Sequence, residues 1–241
     1  MQYNLLMQLT KVGEVAREYT AQEVANTLWA YAIMGRASGE RVMGLLEERA
    51  IGLTGQFTCE NLRQLHQHIV SFSLQQRCSH MLPRSSLVEL RESLGPACRD
   101  EFCKSQAHPS ESQRQVSHAL REMGLLVEDE VRCSKSGYSI DMLARDPRVP
   151  AEGGELAIGG TGGWAVEYDG PSHLLACGSP TGATLLKHRL LRLLGHNLVI
   201  VPYREWQKVR GDRASEMTYL RSLLDASSAD ARSKPLRPPT P

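Results

Sequence analysis

The apolar residues of this chain change period at Gly124. Up to it they recur at helical spacing, and after it stretches appear in which they alternate from one residue to the next. A chain with one such switch builds a helical part followed by a part that contains a sheet. The expected fold is therefore α+β: N-terminal helical hairpins, solenoid-like in their arrangement, followed by a small α/β domain. The expected divisions are a helical repeat region over 1–96, a linker over 97–109, the α/β domain over 110–225 and a disordered tail over 226–241.

The helical part repeats itself. "YTAQEVANTLWAYAIMG" begins at Tyr19, and Thr20 with Glu23 forms a capping box that satisfies free amides at a helix start. Val24, Leu28, Tyr31 and Ala32 follow on one face, and Gly35 suits the helix end. Val42, Leu45, Leu46, Ala50 and Leu53 mark a second amphipathic helix. "QFTCENLRQLHQHIVSF", about 38 positions on, repeats the aromatic-Thr opening with Phe57 and Thr58 and carries the stripe Leu62, Leu65, Ile69 and Phe72. A fourth helix is expected from Ser86, boxed with Glu89, to the Gly95-Pro96 stop. Such pairs suit an α-solenoid, and a plain helical bundle is the alternative. Trp29, Tyr31, His66 and His68 are read as core residues.

Residues 97–109 read as irregular, and Ser110 with Gln113 caps a helix over 111–123. "YSIDMLA" (138–144) alternates, with Tyr138, Ile140, Met142 and Ala144 opposite Ser139, Asp141 and Leu143. "WAVEYD" (164–169) alternates too and puts Glu167 and Asp169 on one face. The Gly-rich connection between them suggests a hairpin with a long loop. A helix over 182–194 and the apolar strand "NLVIVP" (197–202) complete a β-α-β crossover. A last helix is expected near 214–225, and "ASSADARSKPLRPPTP" has a disordered composition.

Composition narrows the setting. The 241 residues carry a net charge of +1, so affinity for an anionic partner must come from local clusters of Arg and Lys. The six cysteines include no Cys-x-x-Cys pair, which points to a reducing compartment rather than a disulfide framework. Cys98, Cys103 and His108 are too few and too loosely spaced for a zinc site. No apolar run approaches the ~20 residues that span a membrane. The first twenty residues hold Glu14 and Glu18 beside Lys11 and Arg17, unlike an acid-poor transit peptide.

"VEYDGPSH" (166–173) concentrates the chemistry. Carboxylates from two adjacent strands can hold a divalent ion, which activates water and stabilises the charge of phosphodiester cleavage. Asp141 lies on one strand; Glu167 and Asp169 lie on the next, with Cα atoms ~7 Å apart. His173 follows a turn stiffened by Gly170 and Pro171. Lys187, His188, Arg189 and Arg192 make the next helix basic, and Arg204, Lys208 and Arg210 add charge downstream. These are the candidate phosphate contacts. In the plainer reading the acids cap turns or pair with Arg, and the basic helix is a solvated face.

"WAVEYDGPSHLL…TLLKHRLLRLLGHNLVIVPYREWQKVRG" resembles a RAP domain. Its family pattern is Glu-x-Asp-Gly-Pro-x-His, a Thr-x-x-Lys-x-Arg-x-Leu helix with Gly, then an apolar strand into Pro-Tyr-x-Glu-Trp. Glu167, Asp169, Gly170, Pro171, His173, Thr184, Lys187, Arg189, Leu190, Gly195, Pro202, Tyr203, Glu205 and Trp206 occupy those positions. "VANTLWAYAIMG" is similar to the helical repeats of octotricopeptide-repeat and FAST-kinase-domain proteins. The resemblance implies a PD-(D/E)xK nuclease-like fold for the α/β domain, with Asp141 and Glu167 at the acidic positions. Asp169 stands where the motif lysine belongs, and Lys187 replaces that lysine only if it reaches the site.

The resemblance implies an organellar RNA-binding factor of the mitochondrion or plastid. It would act in RNA processing, stability, rRNA maturation or translation. Its partners would be single-stranded transcripts or rRNA and ribosomal or other ribonucleoprotein proteins, with no membrane. This reading needs no cofactor. The alternative is a metal-dependent endoribonuclease, with Asp141, Glu167 and Asp169 holding Mg²⁺ or Mn²⁺ and with Asp141, Glu167, Asp169, His173 and Lys187 as catalytic residues. A protein-interaction module without RNA affinity is the third reading.

Overall fold

In the computed structural model, which describes residues 15–35, 40–79, 84–104, 109–149 and 163–233, Thr20 caps a helix as its sequence demands. Thr20 Oγ1 accepts from the Glu23 amide at 3.3 Å, and the Thr20 amide donates to Glu23 Oε2 at 2.9 Å. Helix α1 (Ala21–Met34) ends at Gly35, whose φ of 65° only glycine adopts readily. Helices α2 (Glu40–Gly52), α3 (Cys59–Ser79), α4 (Ser85–Ser93) and α5 (Gly95–Lys104) follow. Thr58 and Asn61 reproduce the reciprocal cap at the start of α3, with bonds of 3.2 and 3.3 Å.

Side-chain contacts recur at one separation along the helical part. Gln64 donates to Asn26 at 2.9 Å, Trp29 to Gln67 at 3.1 Å and Arg63 to Glu101 at 2.8 Å, each pair 38 residues apart. Helices α1, α3 and α5 lie side by side in that order, and α2 packs on α4. Their shared core includes Val24, Leu28, Leu46, Leu65, Ile69, Leu90 and Cys98. Each buried Leu or Ile contributes roughly 2 kcal/mol.

The linker expected at 97–109 is a helix as far as Lys104. Gly95-Pro96 opens it rather than ending α4, because proline fits the first helical turn, where its missing amide has no partner to lose. The expected Ser86 cap is also absent. Arg84 precedes α4 without a side-chain cap, and the Ser86 hydroxyl donates to Glu47 Oε2 at 2.6 Å.

Glu47 is the polar centre of this core, with 0% exposure. Arg84 Nη2 donates to its Oε1 at 2.6 Å, and His68 Nε2 lies 2.9 Å from the same oxygen. The other ring nitrogen of His68 faces the Leu28 carbonyl at 3.1 Å. Burial alone would raise the Glu47 pKa, but the bonds from His68, Arg84 and Ser86 outweigh it and hold the carboxyl at about 2.

The chain divides into two compact units, Met1–Gln106 and Ala107–Pro241. In the second, Ser110 and Gln113 cap α6 (Glu111–Glu122). Strands β1 (Leu126–Arg132), β2 (Ser139–Arg145), β3 (Gly163–Asp169) and β4 (Leu198–Pro202) form one sheet in the order β1-β2-β3-β4. The first two pairings are antiparallel and β3–β4 is parallel. A 3₁₀ turn (Pro171–His173) and α7 (Gly182–Leu193) cross from β3 to β4. Helices α8 (Tyr203–Val209) and α9 (Arg213–Ser233) close the unit. The architecture is α+β.

Strand β1 was not expected. Alternation appears only weakly in its charged sequence, because it is a sheet edge with little burial. The last helix runs to Ser233, beyond the expected end at 225, so the tail expected to be disordered is helical over 226–233. Ser228 supports this extension by accepting from the Trp164 indole at 3.2 Å.

Both sheet faces are covered. Met142, Ala144, Val166, Tyr168, Val199 and Val201 pack with Val116, Leu120, Trp206, Leu220 and Leu224. Leu143, Ala165 and Leu198 pack with Leu191 and Cys133. Ile140 joins this second cluster rather than Met142 and Ala144. Beside it the pleat is distorted: Glu130, opposite Asp141 in the β1–β2 register, has φ 53°.

Removing the Glu47 carboxylate strands Arg84, Ser86 and His68 in the core. Glu47→Ala is expected to destabilise the helical unit by about 3 kcal/mol or more. The measurement is the urea midpoint of the helical circular-dichroism signal.

Candidate functional site

The β2–β3 pairing sets Met142 against Val166, and so Asp141 beside Glu167. Both carboxylates are buried, at 7% and 1% exposure. Helix α7 carries Lys187 across them. Its ammonium lies 2.5 Å from Glu167 Oε2 and 3.6 Å from Asp141 Oδ1. The second Asp141 oxygen accepts from the Tyr168 amide at 2.9 Å. Glu167 Oε1 is buried and, among the described residues, has no partner within good hydrogen-bond geometry.

Glu130 is a member of this cluster that sequence reasoning missed. Its Oε2 accepts from Ser139 Oγ at 2.9 Å. Burial raises its pKa, and the Asp141 and Lys187 charges act on it in opposite directions. The signal available in the sequence was an acidic residue on the alternating stretch before Asp141, in a strand too polar to recognise.

Burial also dominates Glu167. It pushes the carboxyl up to about 8; Lys187 works against this and Asp141 adds to it. Burial would lower Lys187, but the Glu167 and Asp141 charges raise it. Burial thus favours the neutral form of Glu167, while the adjacent Lys187 ammonium favours the ionised one.

Asp169 takes a different position. His173 Nδ1 and His188 Nε2 each lie 3.3 Å from its Oδ1. Burial opposes ionisation, but these two imidazoles hold the carboxyl at about 2. The His173 carbonyl accepts from the Thr181 amide at 2.8 Å and from Thr184 Oγ1 at 3.3 Å, tying the turn to the start of α7.

The structure thus brings Asp141, Glu167 and Lys187 together and keeps Asp169 and His173 in a second group. The expected convergence of Asp141, Glu167 and Asp169 on one ion does not form. Among the described residues, no three His, Cys, Asp or Glu side chains are gathered to hold a metal ion. Lys187 stands between the first two acids, and two imidazoles occupy the third.

The expected phosphate contacts also divide. Lys187 and His188 face inward, because Thr184, Leu186, His188, Leu190 and Leu191 give α7 a wide buried arc. Arg189 is half-buried near Tyr138. Arg192, Arg204, Lys208 and Arg210 are exposed. Lys208 donates to Glu205 at 2.8 and 2.7 Å, and Arg210 to Gln207 at 3.0 Å.

Residues 166–223 match the family model of the RAP domain, and the chain carries that domain. A relative from rice (Oryza sativa subsp. japonica), a chloroplastic RAP domain-containing protein, is 26% identical over 216 residues. The match covers 87% of this chain and 30% of the relative's own length.

The buried acid makes stability depend on pH with a definite sign. A folded-state pKa of about 8 for Glu167 exceeds the ~4.3 of an unfolded glutamate, so the folded chain holds a proton that the unfolded chain has released. Stability should therefore fall as pH rises from about 5 to about 8. Glu167→Gln, which cannot titrate, should flatten this dependence by more than about 1 kcal/mol. Urea denaturation at stepped pH measures both.

Proposed function

We propose that this chain is a plastid RNA-binding factor acting in transcript processing, stability, rRNA maturation or translation. The observation that carries the reading is the division of charge in the RAP domain. Its buried acids Asp141, Glu167 and Asp169 lie against Lys187, His173 and His188, while Arg192, Arg204, Lys208 and Arg210 face solvent. Exposed cations supply the sequence-independent affinity for a phosphate backbone. A net charge of +1 gives little long-range attraction, so a ribonucleoprotein partner that presents the RNA suits this chain. The plastid assignment rests on the chloroplastic relative.

One observation favours a second reading, a metal-dependent endoribonuclease. Lys187 reaches Glu167 and Asp141 from α7, so an Asp-Glu-Lys set is complete although Asp169 occupies the usual lysine position. On this reading Asp141 and Glu167 would hold Mg²⁺ or Mn²⁺, which would supply activation of water. Lys187 would steady the developing negative charge.

Titration of the purified chain on end-labelled structured RNA, with Mg²⁺ or Mn²⁺ and then with EDTA, separates the two. The expected result is binding without cleavage, equal in both conditions and unchanged in Glu167→Gln. Four exposed cations should give a log–log salt slope no steeper than about −3. Metal-dependent cleavage that disappears in Glu167→Gln would overturn the binding reading in favour of the nuclease.

A further inference from the structure

Arg204 is the second residue of α8, just after β4 delivers the chain to the surface. It is exposed, and among the described residues its guanidinium forms no ion pair or hydrogen bond. Its neighbour Glu205 does not neutralise it, because both Glu205 oxygens accept from Lys208, at 2.8 and 2.7 Å.

The guanidinium nevertheless has a fixed place: it lies across Gly178. A Cβ at that position would stand 3.0 Å from both terminal nitrogens of Arg204 and 3.1 Å from the central carbon. That is tighter than nine in ten Cβ contacts, so a side chain at 178 would push the guanidinium off its place by a few tenths of an ångström. Gly178 also has a φ of 85°, which L residues adopt at a cost.

The loop beneath is held by its own backbone hydrogen bonds. The Gly178 amide donates to Leu175 O at 2.8 Å, the Leu175 amide donates to Ser179 O at 2.7 Å, and Leu174 bridges Pro180. The Thr181 amide closes the loop onto His173 O at 2.8 Å. The loop is thus tied to the turn of "DGPSH", whose histidine holds Asp169.

We propose that Arg204, seated on Gly178, is the residue through which the RAP domain grips an RNA backbone phosphate. This rests on the RNA-binding reading and narrows it from a set of basic residues to one built position. A guanidinium donates through a planar fork that matches two phosphate oxygens. Most exposed arginines lose side-chain freedom when they bind. Here the glycine surface has already oriented the fork, so less is lost. The absence of an internal carboxylate partner leaves the full charge for the ligand.

The test uses the full chain and a labelled oligouridylate at several salt concentrations. Arg204→Ala should weaken binding about tenfold and make the log–log salt slope shallower by about 0.7, the value for one lost phosphate contact on a single strand. Gly178→Ala keeps the net charge and the arginine but displaces the guanidinium. It should also weaken binding several-fold, with circular dichroism unchanged. Arg204→Lys should fall between Arg204→Ala and the unaltered chain. If the unaltered chain binds and either alanine variant binds equally well, the seat is wrong while the RNA reading stands. If the unaltered chain binds no RNA, the RNA reading fails and the seat with it.

Discussion

The C-terminal unit is organised around an ammonium group buried between two carboxylates. Taking such ions out of water costs several kcal/mol each, and mutual attraction offsets this only when geometry and proton count are right. Both conditions hold here. The antiparallel register places Asp141 beside Glu167, and α7 crosses at the height that brings Lys187 within 2.5 Å of Glu167. The Lys187 ammonium lies within reach of both carboxyl groups, 2.5 Å from Glu167 and 3.6 Å from Asp141. The Tyr168 amide, donating at 2.9 Å, then satisfies the Asp141 oxygen farther from the lysine. The crossover cannot slide along the sheet without separating these charges, so the cluster fixes the position of α7.

The helical unit meets the same problem with a different proton count. Glu47 is as buried as Glu167, yet its carboxyl sits at about 2 rather than about 8. The difference lies in the donors. Arg84, Ser86 and His68 converge on the two Glu47 oxygens, whereas Glu167 Oε1 has no donor. One site stabilises the ion; the other tolerates the acid. Asp169 belongs with Glu47, since two imidazoles flank it.

Much of this was legible in the sequence wherever periodicity and burial agree. Alternation in "YSIDMLA" and "WAVEYD" located the strands that carry Asp141, Glu167 and Asp169. The misses share a physical cause. Strand β1 has one face of its sheet edge in water, so its composition is that of a loop. Helix α5 begins at Gly95-Pro96, and the same dipeptide that ends one helix can start another. Lys187 and His188 were read as surface cations because charged residues on a helix usually are. Yet 184, 187, 188 and 191 form one helical stripe, with Thr184 and Leu191 both buried. A lysine in line with buried neighbours is a candidate for an internal ion pair.

The separation of charge between interior and surface bears on what the domain can do. An ammonium buried against Asp141 and Glu167 is already engaged and is not presented to a phosphate. To take part in phosphodiester chemistry, Glu167 would have to be ionised and Lys187 would have to release one carboxylate to a cation. Both changes work against the same buried, low-dielectric surroundings that hold the cluster together. Contacts through exposed guanidinium groups disturb none of it. Binding therefore leaves the domain's internal electrostatics intact, whereas metal-dependent cleavage requires their rearrangement.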